Sequence, residues 1–137
     1  MVEYITGIKG IGKTRIMAEA AVATASTSAG NVVYVDCTDK LNIELPSSIR
    51  LINADDYEID SVLALSGFLM GLCASDYDLT DVFVDSALDL FVDNKDEINE
   101  FLQIITRASK STGVNFHFSI SNVKEPCLLY TSDAADE

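Results

Sequence analysis

The sequence has few of the residues that crosslink small proteins or build metal sites. It contains no Trp, two Pro and one His, and its three Cys lie far apart at positions 37, 73 and 127. An odd number of widely spaced cysteines without a second His argues against a disulfide framework and a zinc site, and it favours a cytoplasmic location. A chain of 137 residues with 48% apolar content can instead bury a core of its own. We therefore expect one globular domain.

Basic residues and long apolar runs are also scarce. Nine Lys and Arg stand against 22 Asp and Glu, and the formal net charge is −13. Because this charge repels a phosphate backbone, nucleic acid is not an expected partner. The longest apolar-biased run, residues 61–75, contains Ser66, Gly67 and Gly71. It is shorter than the roughly 20 residues of a membrane-spanning helix, so no membrane span is predicted, and the first residues predict no secretory signal.

The last stretch of the chain differs from the rest. Residues 127–137 follow no periodicity, and they resemble the translation of a transposon-type sequencing adapter. We therefore expect residues 1–126 to form the nucleotide-binding domain suggested by the motif described below, and residues 127–137 to be a non-native tail. An ordinary acidic, disordered tail is the alternative.

Strand-length apolar runs alternate with helical patterns, which is typical of a parallel sheet covered by helices. The predicted strands are residues 2–6, 32–36, 50–53, 81–85 and 114–120, and the predicted helices are residues 13–28, 60–74 and 95–111. We expect Gly30 to cap the first helix and Gly113 to end the third. In the second helix, Gly67 and Gly71 are expected to allow close packing on the sheet rather than to mark a dimer face.

A glycine-rich segment lies between the first predicted strand and the first predicted helix. The run G-I-K-G-I-G-K-T matches the pattern G-x-x-x-x-G-K-[ST] at every fixed position. In such a loop the backbone N–H groups, here those of Gly7, Gly10, Ile11 and Gly12, surround the β-phosphate of a nucleotide together with the helix N-terminus. The segment therefore predicts a nucleotide-binding site.

Three residues after the glycines are expected to extend this site. Lys13 would reach the β- and γ-phosphates, Thr14 would bind Mg²⁺, and Arg15 can touch phosphate. An acid at the end of a neighbouring strand normally holds the same Mg²⁺ through water, and Asp85 ends the apolar run V-F-V-D. The predicted cofactors are accordingly ATP and Mg²⁺.

With this loop and this acid, the chain resembles the P-loop NTPases. From residue 32 to residue 90 the order of elements is similar to a RecA-like ATPase core, and the pair Asp85-Ser86 is similar to the Asp-Ser of that group. The chain also resembles short bacterial ATP-binding proteins often labelled as twitching-motility ATPases. The resemblance implies a three-layer α/β P-loop NTPase fold with a five-stranded, mainly parallel sheet. It also implies that strand 114–120 lies between the loop strand and the Asp85 strand.

The chain departs from the RecA-like pattern at the position of the catalytic glutamate. That residue follows the acid of the second strand by two positions, and Thr38 stands there in this sequence. Asp39, one residue further on, is the candidate base that would polarise the attacking water. Because its carboxylate is displaced and its side chain is shorter than that of glutamate, we expect hydrolysis to be slow.

The polar residues of the last strand allow two interpretations. Ser119, Ser121 or Asn122 could sense the γ-phosphate, or they could be polar groups satisfied at the end of a strand. His117, the only histidine, is expected to occupy a core or surface position rather than to act as a catalytic base.

The predicted function is a slow Mg²⁺-dependent ATP hydrolase that acts as a nucleotide-dependent switch. A small-molecule or nucleotide kinase is one alternative, although such kinases use several arginines on a lid and this chain has only Arg15, Arg50 and Arg107. The other alternative is a non-hydrolysing module that meets a protein partner or a second copy of itself when ATP is bound.

Overall fold

The computed structural model describes residues 1–6, 13–37, 44–87 and 95–120, and these residues form an α/β fold. The elements in chain order are β1 (Val2–Thr6), α1 (Lys13–Thr27), β2 (Asn31–Asp36), β3 (Ile49–Asn53), a 3-10 turn (Ala54–Tyr57), α2 (Val62–Ser75), β4 (Leu79–Asp85), α3 (Lys95–Thr112) and β5 (Asn115–Ile120). Each predicted strand and helix is present, with bounds close to those expected. The 3-10 turn is not among the predicted elements.

The five strands form one sheet in the order β1-β5-β4-β2-β3. All four pairings are parallel, so the sheet is wholly rather than mainly parallel. The expectation that the last strand lies between the first strand and the Asp85 strand is confirmed. In a parallel sheet all strands end on one side, here called the carboxyl edge, which is formed by Thr6, Asp36, Asn53, Asp85 and Ile120.

Helices cover both faces of the sheet, which explains why its strands are apolar on both sides. On one face, Met17 and Ala21 of α1 pack in a cluster with Tyr34 and Phe83. On the other face, α2 and α3 pack on the alternate strand residues. The buried residues of this second cluster include Val33, Val35, Leu65, Leu69, Val82, Val84, Phe101, Leu102, Ile105, Phe116 and Phe118.

Two helix ends follow from single residues. The Oγ of Ser61 accepts a hydrogen bond from the N–H of Ala64 at 3.1 Å, so α2 begins after Ser61 rather than at Asp60. Gly113 follows α3 with a φ of 81° and donates its N–H to the carbonyl of Ser109 at 2.9 Å, which confirms it as the residue that ends this helix. None of the helices in the described residues has the length and apolar character needed to cross a membrane.

The prediction that Gly30 caps α1 is wrong. The helix ends at Thr27, and Gly30 is not among the described residues with a positive φ. A Cβ atom at Gly30 would instead lie 2.0 Å from the carbonyl oxygen of Asp78 and 2.7 Å from a methyl group of Thr80. Glycine is needed here because the chain before β2 passes directly against the start of β4.

The prediction that Gly67 and Gly71 allow α2 to pack closely on the sheet is also wrong. Both glycines are exposed, and a Cβ atom built on either one meets no atom within 4 Å. The sheet instead contacts the opposite side of α2, through Leu65 and Leu69. Leu63 lies on the outer side as well and is 66% exposed. The spacing of the glycines cannot distinguish these two faces, because the helix is apolar on nearly all sides.

This orientation predicts that alanine at position 67 or 71 stabilises the protein. Glycine in a helix interior costs roughly 0.5–1 kcal/mol relative to alanine, and no neighbouring atom opposes the added methyl group. Gly67→Ala and Gly71→Ala should each raise the free energy of unfolding by about that amount, measured by urea denaturation. Gly113→Ala is the matched control and should destabilise the protein because of its positive φ. A loss of stability in the first two variants would contradict the described orientation of α2.

Candidate functional site

The carboxylate of Asp85 lies at the carboxyl edge and is completely buried. Its Oδ1 accepts hydrogen bonds from the hydroxyl groups of Ser119, at 2.6 Å, and Ser86, at 3.2 Å. Its Oδ2 accepts a hydrogen bond from the hydroxyl of Tyr34 at 3.1 Å. Side chains from β2, β5 and the residue after β4 therefore hold this carboxylate in one orientation.

Ser86, directly after β4, has a backbone conformation that non-glycine residues seldom adopt. Its φ is 68°, in the left-handed region, which costs roughly 1–2 kcal/mol for an L-residue. Its N–H donates to the Oγ of Ser119 at 2.7 Å, while the same Ser119 hydroxyl donates to Asp85. The turn that leaves β4 is thus tied to β5. Backbone strain held by surrounding contacts is common at functional sites.

These contacts bear on the two interpretations of Ser119. The hydroxyl is completely buried and uses both its donor and an acceptor position within the protein. In the described structure Ser119 therefore satisfies the groups at the ends of β4 and β5. Ser121 and Asn122, the other two candidate sensors, lie outside the described residues.

A second buried carboxylate, that of Asp36, ends β2 next to Asp85. Sequence reasoning assigned it no role. The two aspartates are paired in the β2–β4 register, and Tyr34 lies two residues earlier on the same strand. Burial, followed by the charge and hydrogen bond of Asp85 and the charge of Asp36, raises the pKa of Tyr34. The Tyr34 hydroxyl therefore remains protonated and able to donate to Asp85.

The thiol of Cys37 lies beside this pair of carboxylates. Burial raises its pKa to about 12, and the negative charges of Asp36 and Asp85 contribute in the same direction. At neutral pH the thiol is therefore protonated and has little nucleophilic character. Among the described residues, Cys37 and Cys73 are free cysteines.

The N-terminus of α1 also lies at the carboxyl edge. The hydroxyl of Ser28, just after α1, lies 2.6 Å from that of Thr80 near the start of β4, so the helix runs from the carboxyl edge to the opposite one. Thr14, the second residue of α1, is half-buried. The side chain of Arg15 is 80% exposed and lies 3.9 Å from the carboxylate of Glu19.

An open cavity of about 650 Å³ runs along the outer side of α1. Thr14 and Arg15 line it together with Glu19, Glu44 and apolar residues of the helix, but Asp85 does not. Among the described residues, this cavity therefore lies beside the N-terminus of α1 but does not extend to Asp85.

Several predicted site residues lie outside the described residues. These are the loop residues Gly7, Gly10, Ile11 and Gly12, the side chain of Lys13, Thr38, and the candidate base Asp39. Their predicted roles remain predictions. The tail from residue 127 onward also lies outside them.

His117 occupies a buried position in the middle of β5, as expected for a residue of the core. Its Nδ1 lies 2.5 Å from a carboxylate oxygen of Glu3 on β1, and its Nε2 lies 2.8 Å from one of Asp81 on β4. Its ring stacks on Phe83, with the centroids 4.1 Å apart. Sequence reasoning missed these two partners. The available signal was a charged residue within each of the apolar strands that were expected to flank β5.

Comparison with known proteins adds no family to these observations. Neither the protein-family models nor the curated proteins contain a match to this chain. The fold and the arrangement of its own side chains are therefore the basis for assigning a function.

Proposed function

We propose that this protein binds ATP with Mg²⁺, hydrolyses it slowly and acts as a nucleotide-dependent switch. The observation that carries the proposal is the position of Asp85. It lies buried at the carboxyl edge, with β5 alone between its strand and β1, the strand that leads into the G-x-x-x-x-G-K-T segment. Ligands of open parallel sheets bind outside the carboxyl ends of the strands.

The chemistry of the donors at this edge suits Mg²⁺. Magnesium prefers oxygen ligands and is usually held by one or two carboxylates, with waters and substrate phosphates completing its coordination. Thr14 and Asp85 contribute a hydroxyl and a carboxylate, so both would hold the metal. In the described residues no group of three or more His, Cys, Asp or Glu is arranged as a metal site.

The chain's own groups account for nucleotide binding. The N–H groups of Gly7, Gly10, Ile11 and Gly12 would surround the β-phosphate, and the N-terminus of α1 adds its partial positive charge. Lys13 would neutralise charge on the β- and γ-phosphates. When bound, Mg²⁺ would neutralise further charge on the phosphates. The three hydroxyls around Asp85 hold its carboxylate in place before any ligand arrives.

The positions of the arginines favour hydrolysis over phosphoryl transfer to a second substrate. Arg50 is the second residue of β3 and Arg107 lies late in α3, so both are remote from the carboxyl edge. Arg15 is at that edge, but its side chain is exposed and lies beside Glu19. Measuring phosphate release and phosphoryl transfer side by side separates an ATPase from a kinase, and the absence of both identifies a non-hydrolysing module.

The proposal is tested first by replacing Lys13 with alanine. The glycine loop alone cannot neutralise the triphosphate, so Lys13→Ala should weaken the binding of Mg²⁺-ATP at least tenfold, which is about 1.4 kcal/mol. Isothermal titration calorimetry measures the change. Lys110→Ala is the matched control, because it removes the same charge from the last turn of α3 and should bind like the unmodified protein. Equal affinity in Lys13→Ala would contradict the assigned phosphate loop.

A further inference from the structure

The carboxyl edge carries two buried carboxylates, those of Asp36 and Asp85, and the proposed function uses only Asp85. Asp36 ends β2 as Asp85 ends β4, and the two residues are direct partners in the parallel register. Paired residues of neighbouring strands point to the same face of a sheet, and adjacent strands lie about 4.8 Å apart. Both residues are completely inaccessible to solvent. The fold thus places two buried carboxyl groups side by side at the predicted metal position.

Strand β2 also orients Asp85 directly. Tyr34, two residues before Asp36 and hence on the same face, donates its hydroxyl to Oδ2 of Asp85 at 3.1 Å. One short segment of β2 therefore provides a tether for the first carboxylate and a second carboxylate beside it.

We propose that Asp36 acts with Asp85 as the second carboxylate of the magnesium site and holds water molecules of the bound metal; this inference rests on the nucleotide-binding function proposed above. Two carboxylates that are charged together in a low-dielectric interior repel each other strongly, and a divalent cation bound to both offsets that repulsion. Two carboxylates also match the number that Mg²⁺ commonly takes in sites completed by phosphate. Asp36 thus serves the metal, whereas Asp39 remains the candidate for polarising water.

The test compares the affinity for ATP with Mg²⁺ and with EDTA. Calorimetry on the unmodified protein gives the factor by which Mg²⁺ strengthens binding. Asp36→Asn should reduce this factor at least tenfold while leaving the Mg²⁺-free affinity equal or higher, because a negative charge near the phosphates is removed. Asp56→Asn changes the charge by the same amount on the exposed 3-10 turn and should keep the full factor.

A second measurement compares thermal midpoints. The rise in midpoint on adding Mg²⁺ and ATP to the EDTA-treated protein should be smaller in Asp36→Asn than in the unmodified protein, because the bound metal loses one carboxylate. Should the asparagine variant fail to fold, Asp36→Ser removes the same charge with a smaller side chain and provides the same comparison.

The outcomes separate this inference from the proposed function. If the unmodified protein binds no ATP under either condition, both are wrong. If it binds ATP and folded Asp36→Asn retains the full strengthening by Mg²⁺, only the role of Asp36 is wrong. A loss of affinity that is equal with Mg²⁺ and with EDTA would likewise overturn that role, because it would show an effect on the nucleotide rather than on the metal.

Discussion

Replacing His117 by alanine is expected to lower the free energy of unfolding by about 3 kcal/mol or more, because leaving a buried hydrogen-bonding group without its partner costs about 1–3 kcal/mol and the lost ring leaves a cavity. The side chains of His117 and Asp81 are 7% and 9% exposed, and 2.8 Å separates Nε2 from the carboxylate. Without the imidazole, Asp81 loses this partner in the interior. The variant also loses the stacking of the ring on Phe83. Urea denaturation at neutral pH measures the change.

A second substitution separates the polar contact from the packing. Asp81→Asn should destabilise the unmodified protein, because it replaces a charged acceptor of His117. In the His117→Ala background the same substitution should stabilise, because it removes a buried carboxylate that has lost its partner. His117→Phe keeps a ring against Phe83 and should still be destabilised. An Asp81→Asn effect of equal sign and size in both backgrounds would refute the proposed coupling. Glu3 should contribute less, since its side chain is 49% exposed.

Thr38→Glu is expected to raise the rate of ATP hydrolysis by about 10²–10⁴-fold, the usual range for general-base assistance. The unmodified chain has Thr38 where the RecA-like pattern has its catalytic glutamate, so its turnover should be slow. The matched control is Thr38→Gln, which has the same shape without a carboxylate and should leave turnover low. Phosphate release at saturating Mg²⁺-ATP gives the rates, and calorimetry checks that the variants bind equally.

The slow ATP hydrolysis expected of the unmodified protein can identify the residue that polarises the attacking water. If Asp39 polarises the attacking water, Asp39→Asn should abolish that turnover and leave ATP binding intact. Fast hydrolysis by the unmodified chain, or no response to any change at positions 38 and 39, would mean that the catalytic acid lies elsewhere. In that case the RecA-like comparison at this strand is wrong.

The elements of the fold were predictable because each depends on a local pattern. The run V-V-Y-V of β2 favours a strand buried on both faces, and the apolar stripe of α3 has the period of a helix. The predictions for Gly30, Gly67 and Gly71 are wrong because glycine in a sequence can serve several different structural purposes. Gly30 fits the sequence pattern of a helix cap, but glycine is required there by a close approach to Asp78, a residue 48 positions away.

Part of the candidate site was also predictable from the chain alone. The phosphate-loop pattern is contiguous, and Asp85 ends an apolar strand, so neither required knowledge of neighbouring strands. Asp36 ends a strand in the same way, but its position beside Asp85 becomes apparent only when β2 is seen next to β4. Tyr34 gave no sequence signal, because a tyrosine within a buried strand is usual in a core.

The sequence by itself determined where the strands and helices lie and that a segment matching the phosphate-loop pattern stands between the first strand and the first helix, because these properties depend on neighbours within a few residues. Only the tertiary structure decided that Asp85 is held by Tyr34 and Ser119, that Asp36 lies beside it, and which side of α2 faces the sheet. It also decided that His117 meets Glu3, although 114 positions separate them. Such contacts depend on strand order and register, which arise when the apolar faces of all elements are buried together.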